Sequence, residues 1–350
     1  MSQKETYRIG TGAGFSSDRL DPAIDLVKRG QLNTIIFECV GERTLAFGHR
    51  DRAADPKLGY NALLETRLRA LLPLCHAHGT RLITNMGVAN PDAAAQLAVR
   101  IAHELGLNGL RIAAVTGDDV RTLIHDESPL HEPSCTVAET GRSILGANAY
   151  LGADAIIPAL EDDAHVIITG RVADPSLFLA PIQHHFNWAA DDWTQLGAGT
   201  LVGHLMECAA QVTGGYFADP GYKSVPNLAY VGFPIAEVCA DGTAVITKLT
   251  DTGGMVNTQT VKEQLLYEVH NPNAYLTPDV TADFSRVNVA EVGADRVQVS
   301  NAGGAARPDQ LKVTVAFDGG YLAEAEVSYA GPVAVDRSAL ASTIVKDRIN

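Results

Sequence analysis

Apolar and polar positions along this chain follow two periods, and the switches between them outline a fold. Thr34-Ile35-Ile36-Phe37 and Val166-Ile167-Ile168 are short unbroken apolar runs, the signature of strands buried on both faces. Tyr7–Ile9, Arg81–Thr84 and Gly109–Val115 add three more candidate strands. Between them, apolar residues recur at helical spacing from Asp21-Pro22 to Gly30, from Tyr60 to His78 and from Asn90-Pro91 to Leu105. Helical pattern is also read over Val137–Leu151 and Ala155–Glu161. Strands alternating with helices predict an α/β domain over residues 1–225, with a parallel sheet of Rossmann-like, doubly wound type.

After Lys223 the texture changes. Strands are expected at Ile235–Val238, Ala244–Thr247, Arg296–Val299, Leu311–Phe317 and Tyr321–Val327. The last two flank Asp318-Gly319-Gly320, a hairpin signal. A helix starts at Thr258 and is stopped by Asn271-Pro272. These elements predict a smaller α+β domain over residues 226–335. Residues 336–350 form a last segment with a helix from Ser338 to Ile349.

Each of the first five strands runs into a polar or glycine-rich loop: Gly10–Gly14, Glu38–Arg43, Asn85, Thr116–Asp119 and Gly170–Ser176. Ligands bind at the carboxyl ends of parallel strands, so these loops are expected to converge on one cleft. Asp174-Pro175 reads as a helix cap followed by a first-turn proline. A further helix is expected from Ala198 to Val212. On it His204, Glu207, Cys208 and Gln211 fall at i, i+3, i+4 and i+7, one face. A solvated face is usually Lys, Glu, Arg and Gln. An imidazole, a carboxyl, a thiol and an amide suit the wall of a pocket, with His204 and Glu207 as proton-transfer groups. The plainer alternative is a half-exposed stripe with one buried cysteine.

The candidate catalytic residues are therefore His204, Glu207 and, as a weaker nucleophile, Cys208. The binding candidates are Gly12, Gly14, Glu38, Arg43, Asn85, Arg171, Asp174, Ser176, Tyr216 and Lys223. Arg171 and Lys223 are expected to hold a carboxylate or phosphate. Glu38 and Arg43 form a second polar pair at the same rim.

Composition narrows the partners. There are 27 Lys and Arg against 41 Asp and Glu, a net charge of −14. That argues against a nucleic-acid surface or an anionic membrane patch. The 5 cysteines are scattered, without a CxxC, which fits a reducing compartment. The N-terminus has no apolar signal core, and no apolar run reaches transmembrane length, so a cytoplasmic protein is expected. Gly10-Thr11-Gly12-Ala13-Gly14 reads GxGxG, not GxGxxG. A nicotinamide or flavin site is not expected, although Glu38 sits where a ribose-binding acid would. No metal is expected, but His204 and Glu207 at i, i+3 leave a divalent ion open.

Six stretches carry a resemblance: IGTGAGFSSDR, IFECVGERT, NMGVANP, ITGRVADPSLFLAP, GAGTLVGHLMECAAQVTGGYFADPGYK and VKEQLLYEVHNPNAYLTPDV. On these the chain resembles the acyclic terpene utilisation (AtuA) family over nearly its whole length. The resemblance implies a bacterial catabolic protein of citronellol and geraniol breakdown, which proceeds through branched acyl-CoA esters. Within that pathway context, the acid–base groups lead to the expectation of a hydratase- or lyase-type enzyme acting on a branched carboxylic acid or its CoA thioester. The alternative is a non-catalytic binding or assembly subunit for the acyl-CoA enzymes of that pathway. CoA enters only as part of the substrate. A homo-oligomer is expected, with a small ferredoxin-like subunit or domain as partner. Family members look longer after the position of Asp336, so a shortened member or a fragment is expected.

Overall fold

The computed structural model describes residues 6–320 and 324–349. Along the chain lie β1 (Thr6–Ala13), α1 (Asp21–Arg29), β2 (Thr34–Phe37), α2 (Glu42–Ala54), α3 (Leu64–His78), β3 (Arg81–Thr84), α4 (Pro91–Glu104) and β4 (Ile112–Val115). Next come β5 (Ile144–Ala149), α5 (Ile157–Glu161), β6 (Val166–Thr169), α6 (Ser176–Phe186) and α7 (Trp193–Met206). The remainder holds β7 (Pro234–Cys239), β8 (Ala244–Lys248), α8 (Thr258–Leu266), β9 (Asn288–Gly293), β10 (Arg296–Ser300), β11 (Val313–Phe317) and α9 (Ala334–Ile349).

Among the described residues one sheet has nine strands, in the order β9-β10-β8-β7-β1-β2-β3-β6-β4. The five strands expected from the N-terminal apolar runs are mutually parallel, from β1 through β2, β3 and β6 to β4. The sheet does not stop at residue 225. β7 pairs antiparallel along β1, Thr6 opposite Cys239 and Gly10 opposite Ile235, and β8, β10 and β9 extend that edge. Three of the strands expected after residue 225, at Ile235–Val238, Ala244–Thr247 and Arg296–Val299, thus continue the first sheet. The chain forms two compact units that meet in sequence at Phe317/Asp318.

Alternation of side chains gives the sheet two apolar faces. Ile9, Ile36, Ile83 and Ile167 pack with Leu177, Leu179, Leu201 and Leu205 of α6 and α7. Ile35, Phe37, Leu82 and Ile168 pack with Leu26, Leu68, Leu71 and Ile101 of α1, α3 and α4. Each such buried side chain stabilises by about 1.5–3 kcal/mol. The fold is mixed α/β, with helices on both faces of the parallel half.

Three elements differ from expectation. Residues 144–149 form β5, not part of a helix, because Val313–Phe317 pairs antiparallel with them. That ladder supersedes the weak helical pattern, in which Gly141 and Gly146 already count against a helix. The hairpin expected around Asp318-Gly319-Gly320 is not formed among the described residues. Residues 321–323 of its second strand lie outside the described residues, and 324–327 are not strand. Helix α2 was not expected: it buries only Leu45, Gly48 and His49, so its apolar stripe is faint. Helix α7 starts earlier than expected, at Trp193, where the Asp192 side chain accepts from Gln195 N at 3.2 Å. It also ends earlier, at Met206, whose carbonyl accepts from Thr11 Oγ1 at 2.8 Å. Ala209 then turns left-handed at φ 44°.

The second unit, residues 318–350, carries α9, on which Val335, Leu340, Ile344 and Ile349 are exposed. Among the described residues no helix is long and apolar enough to cross a membrane.

Candidate functional site

The loops at the carboxyl ends of the parallel strands do meet. Beyond β1, a Cβ on Gly14 would lie 2.4 Å from the carbonyl carbon of Cys208 and 2.5 Å from Glu207 O. Glycine alone lets the end of β1 close on the end of α7. A Cβ on Gly12 would lie 2.4 Å from the Phe37 ring. Both glycines are therefore used in internal packing. After β3, Asn85 is fully buried and joins two strand ends. Its Oδ1 accepts from Cys39 N at 2.7 Å, and its Nδ2 donates to Glu38 Oε1 at 2.9 Å. Val40 N donates to the same Glu38 oxygen at 2.9 Å. After β6, the Arg171 guanidinium donates to the Val40 carbonyl, and to Asp174 Oδ1 at 2.7 Å. The Arg171 backbone N–H donates to Asp118 Oδ2 at 2.7 Å, which brings in the loop after β4.

These carboxyls share one electrostatic field. Burial pushes Glu38 up to about 8, and the charge of Asp174 adds to it. Arg171, Asn85 and Val40 N–H pull the other way. Burial also raises Asp174, opposed by Arg171 and supported by Glu42 and Glu268. Arg171 lies 4.0 Å above the ring of Tyr150, and Lys312 lies 4.7 Å from the same ring. The Tyr150 hydroxyl donates to Glu42 Oε1 at 2.6 Å. Burial pulls Glu42 up, but Tyr150, the N-terminal backbone of α2, Lys312 and Arg171 outweigh it and bring the carboxyl down to about 2.

A second cluster lies at the end of α7. His204 Nδ1 is 3.1 Å from Glu207 Oε1. His204 has no exposed surface, and its ring stacks on Phe284 and tilts against Tyr275. Burial pushes Glu207 up to about 7, against the hydrogen bond and charge of His204, with Asp174 and Glu268 adding to the rise. Gln264 of α8 donates to the His204 carbonyl at 3.0 Å. Among the described residues, His204 Nε2, Glu207 Oε2, Thr200 Oγ1 and Gln264 Oε1 are buried with no hydrogen-bond partner. Thr200, His204 and Glu207 sit at i, i+4 and i+7, so three of these four form one stripe.

The sequence model of the acyclic terpene utilisation AtuA family matches residues 7–350. The chain belongs to the acyclic terpene utilisation family. No curated protein and no solved structure matches it. Membership ties the protein to terpene utilisation, and the stretches IFECVGERT, NMGVANP and ITGRVADPSLFLAP supply Glu38, Asn85, Arg171 and Asp174 to the network at the strand ends.

Other expected residues fall elsewhere in this family member. Cys208 and Gln211 lie past the end of α7, so the expected four-residue helical face is cut at Met206. Burial, with the charge of Glu207, raises the Cys208 thiol, which keeps it protonated at neutral pH. Asp174 does not cap α6. Pro175 holds that position and the Asp174 carboxylate goes to Arg171. The Ser176 hydroxyl bonds the buried carboxyl of Asp279, which burial pushes up to about 6 and which also accepts from Ala153 N at 2.7 Å. That tie fastens α6 in place. Arg43 is exposed and lies over the Phe47 ring. Tyr216 is exposed, and Lys223 pairs with Glu263 at 2.7 Å beside a separate groove.

Sequence reasoning missed Glu42, Tyr150 and Lys312. It also missed the buried chain from His49 through Asn148 to Asp118, joined at 2.5 and 2.8 Å. Asp118 stood in the loop after β4, but Tyr150 and Asn148 were hidden in the expected helix. Among the described residues no group of three or more His, Cys, Asp or Glu is placed to hold a metal ion.

Proposed function

We propose that the Glu38–Asp174 cleft is the active site of a hydratase- or lyase-type enzyme acting on a branched carboxylic acid or its CoA thioester in terpene catabolism. The observation that supports this reading is Glu38, a partly accessible carboxyl pushed up to about 8 beside a second raised carboxyl. Adding water across a double bond next to a carbonyl needs two groups. A base takes a proton from water, whose oxygen bonds the β-carbon, and an acid gives a proton to the α-carbon. Glu38 and Asp174 repel each other's charge, so the pair favours holding one proton at neutral pH, and the two groups take the two roles.

Arg171 positions Asp174 in this reading and does not clamp the substrate, because its terminal nitrogens already hold Val40 and Asp174. The enclosed His204–Glu207 pair is linked to the site electrostatically, since the charge of Asp174 adds to the rise of Glu207. The test is turnover of 3-methyl-branched enoyl or hydroxyacyl acids and their CoA esters by Glu38→Gln. A loss of about a hundredfold or more, with the fold intact, is expected. Unchanged turnover on a working substrate overturns the reading.

The exposed apolar side chains of α9 favour a second reading, a non-catalytic subunit that assembles with acyl-CoA enzymes of the pathway or with a small ferredoxin-like partner. In that case Leu340→Lys with Ile344→Lys abolishes co-sedimentation with the partner enzyme, and Glu38→Gln leaves it intact.

A further inference from the structure

A groove of about 600 Å³ lies beside α8, lined among others by Phe217, Tyr222, Lys223, Met255, Lys262 and Tyr267. That volume is in the range of small-molecule sites. It carries three aromatic rings, two ammonium groups and one carboxylate, Glu263, on a chain whose net charge is −14. Lys223 stands 4.6 Å from the Phe217 ring and is held there by a half-exposed ion pair with Glu263. Such a pair is weak in water, so a phosphate can displace the carboxylate. Lys262 is exposed and makes no ion pair among the described residues. Aromatic faces stack planar rings, and lysines serve phosphates as point charges.

Helix α8 is a wall common to this groove and the polar cluster. Gln259, Lys262, Glu263 and Leu266 line the groove, while Gln264 reaches the His204 carbonyl at 3.0 Å. Tyr267, the residue after α8, also lines the groove.

We propose that this groove binds the nucleotide end of CoA, its adenine against the aromatic rings and its phosphates on Lys223 and Lys262. The inference rests on the thioester form of the proposed function and names the substrate part that this surface holds. Calorimetry without turnover tests it, on wild type and on Lys223→Glu with Lys262→Glu, using CoA, adenosine 3′,5′-bisphosphate, adenosine and inorganic phosphate. Saturable binding of CoA and the bisphosphate is expected, weakened at least about tenfold by the double charge reversal and by added salt. Adenosine or phosphate alone should bind far more weakly. Absence of CoA binding, binding untouched by the charge reversal, or equal affinity for inorganic phosphate each overturns it. Glu38→Gln should bind CoA like wild type. CoA binding combined with an inert Glu38→Gln substitution would remove the acid–base reading and leave the groove. Turnover of free acids without CoA binding would do the reverse.

Discussion

The two polar clusters are made of similar groups and live in different surroundings. In both, burial keeps a carboxyl from ionising, up to about 7 at Glu207 and about 8 at Glu38. Glu207 is enclosed with His204 beneath Tyr275 and Phe284, and the bond between the two spans one helical turn. Glu38 keeps some accessible surface, and its surroundings come from separate strand ends: Val40 after β2, Asn85 after β3, Arg171 and Asp174 after β6. A shifted carboxyl therefore does not by itself mark reacting chemistry. A shifted carboxyl that solvent can reach, held by several strands, is the better candidate.

The comparison breaks most visibly at His204. His204→Ala leaves a cavity among aromatic rings and a buried carboxyl without its partner, so unfolding stability should drop by about 3 kcal/mol or more. Urea denaturation measures this, and activity per folded molecule should survive. A hundredfold loss of activity with stability unchanged would move the chemistry to the sealed pair.

The dependence of stability on pH sharpens the same contrast. Glu38, Glu207 and Asp279 all have folded values above their ordinary range. Their contributions are fully present below the ordinary carboxyl range and are lost as pH rises through about 6, 7 and 8. The urea midpoint should fall across that window, and Glu38→Gln or Glu207→Gln should each flatten part of the fall. Glu42, brought down to about 2, has the opposite sign: its contribution is present above the ordinary range and lost as pH falls toward 2. A midpoint that rises from pH 6 to 8 would contradict the raised carboxyls.

Cys208 gives the smallest effect. With its thiol raised by burial, Cys208→Ser should leave turnover close to wild type and cost at most about 1 kcal/mol. Complete loss of turnover would restore it as a nucleophile.

Much of the parallel sheet and of the network at its strand ends is legible in the sequence because it follows from local rules. The runs at Thr34–Phe37 and Val166–Thr169 announce buried parallel strands, and the polar loops after them announce that those loops meet. The Asn90-Pro91 start of α4 was equally readable, since the Asn90 side chain accepts from Ala93 N. What stayed hidden depends on distant partners. Residues 144–149 become a strand only because Val313–Phe317 pairs with them, so Tyr150 was not placed beside Arg171. The end of α7 is set by Thr11 of β1 and by Gly14 just beyond it, far away in the sequence. Glu38 was noticed at the right strand end, but its raised protonation needs Asp174 and a burial that sequence spacing does not show.

We propose that Glu38 is a protonated carboxyl at neutral pH, partly open to solvent. Infrared difference spectra of protein labelled with 13C-glutamate, wild type minus Glu38→Gln, isolate that group across a pH titration. A carboxylic-acid band that persists through pH 7 and titrates near 8 is the predicted result. A carboxylate already ionised in the ordinary glutamate range, well below pH 6, would contradict it.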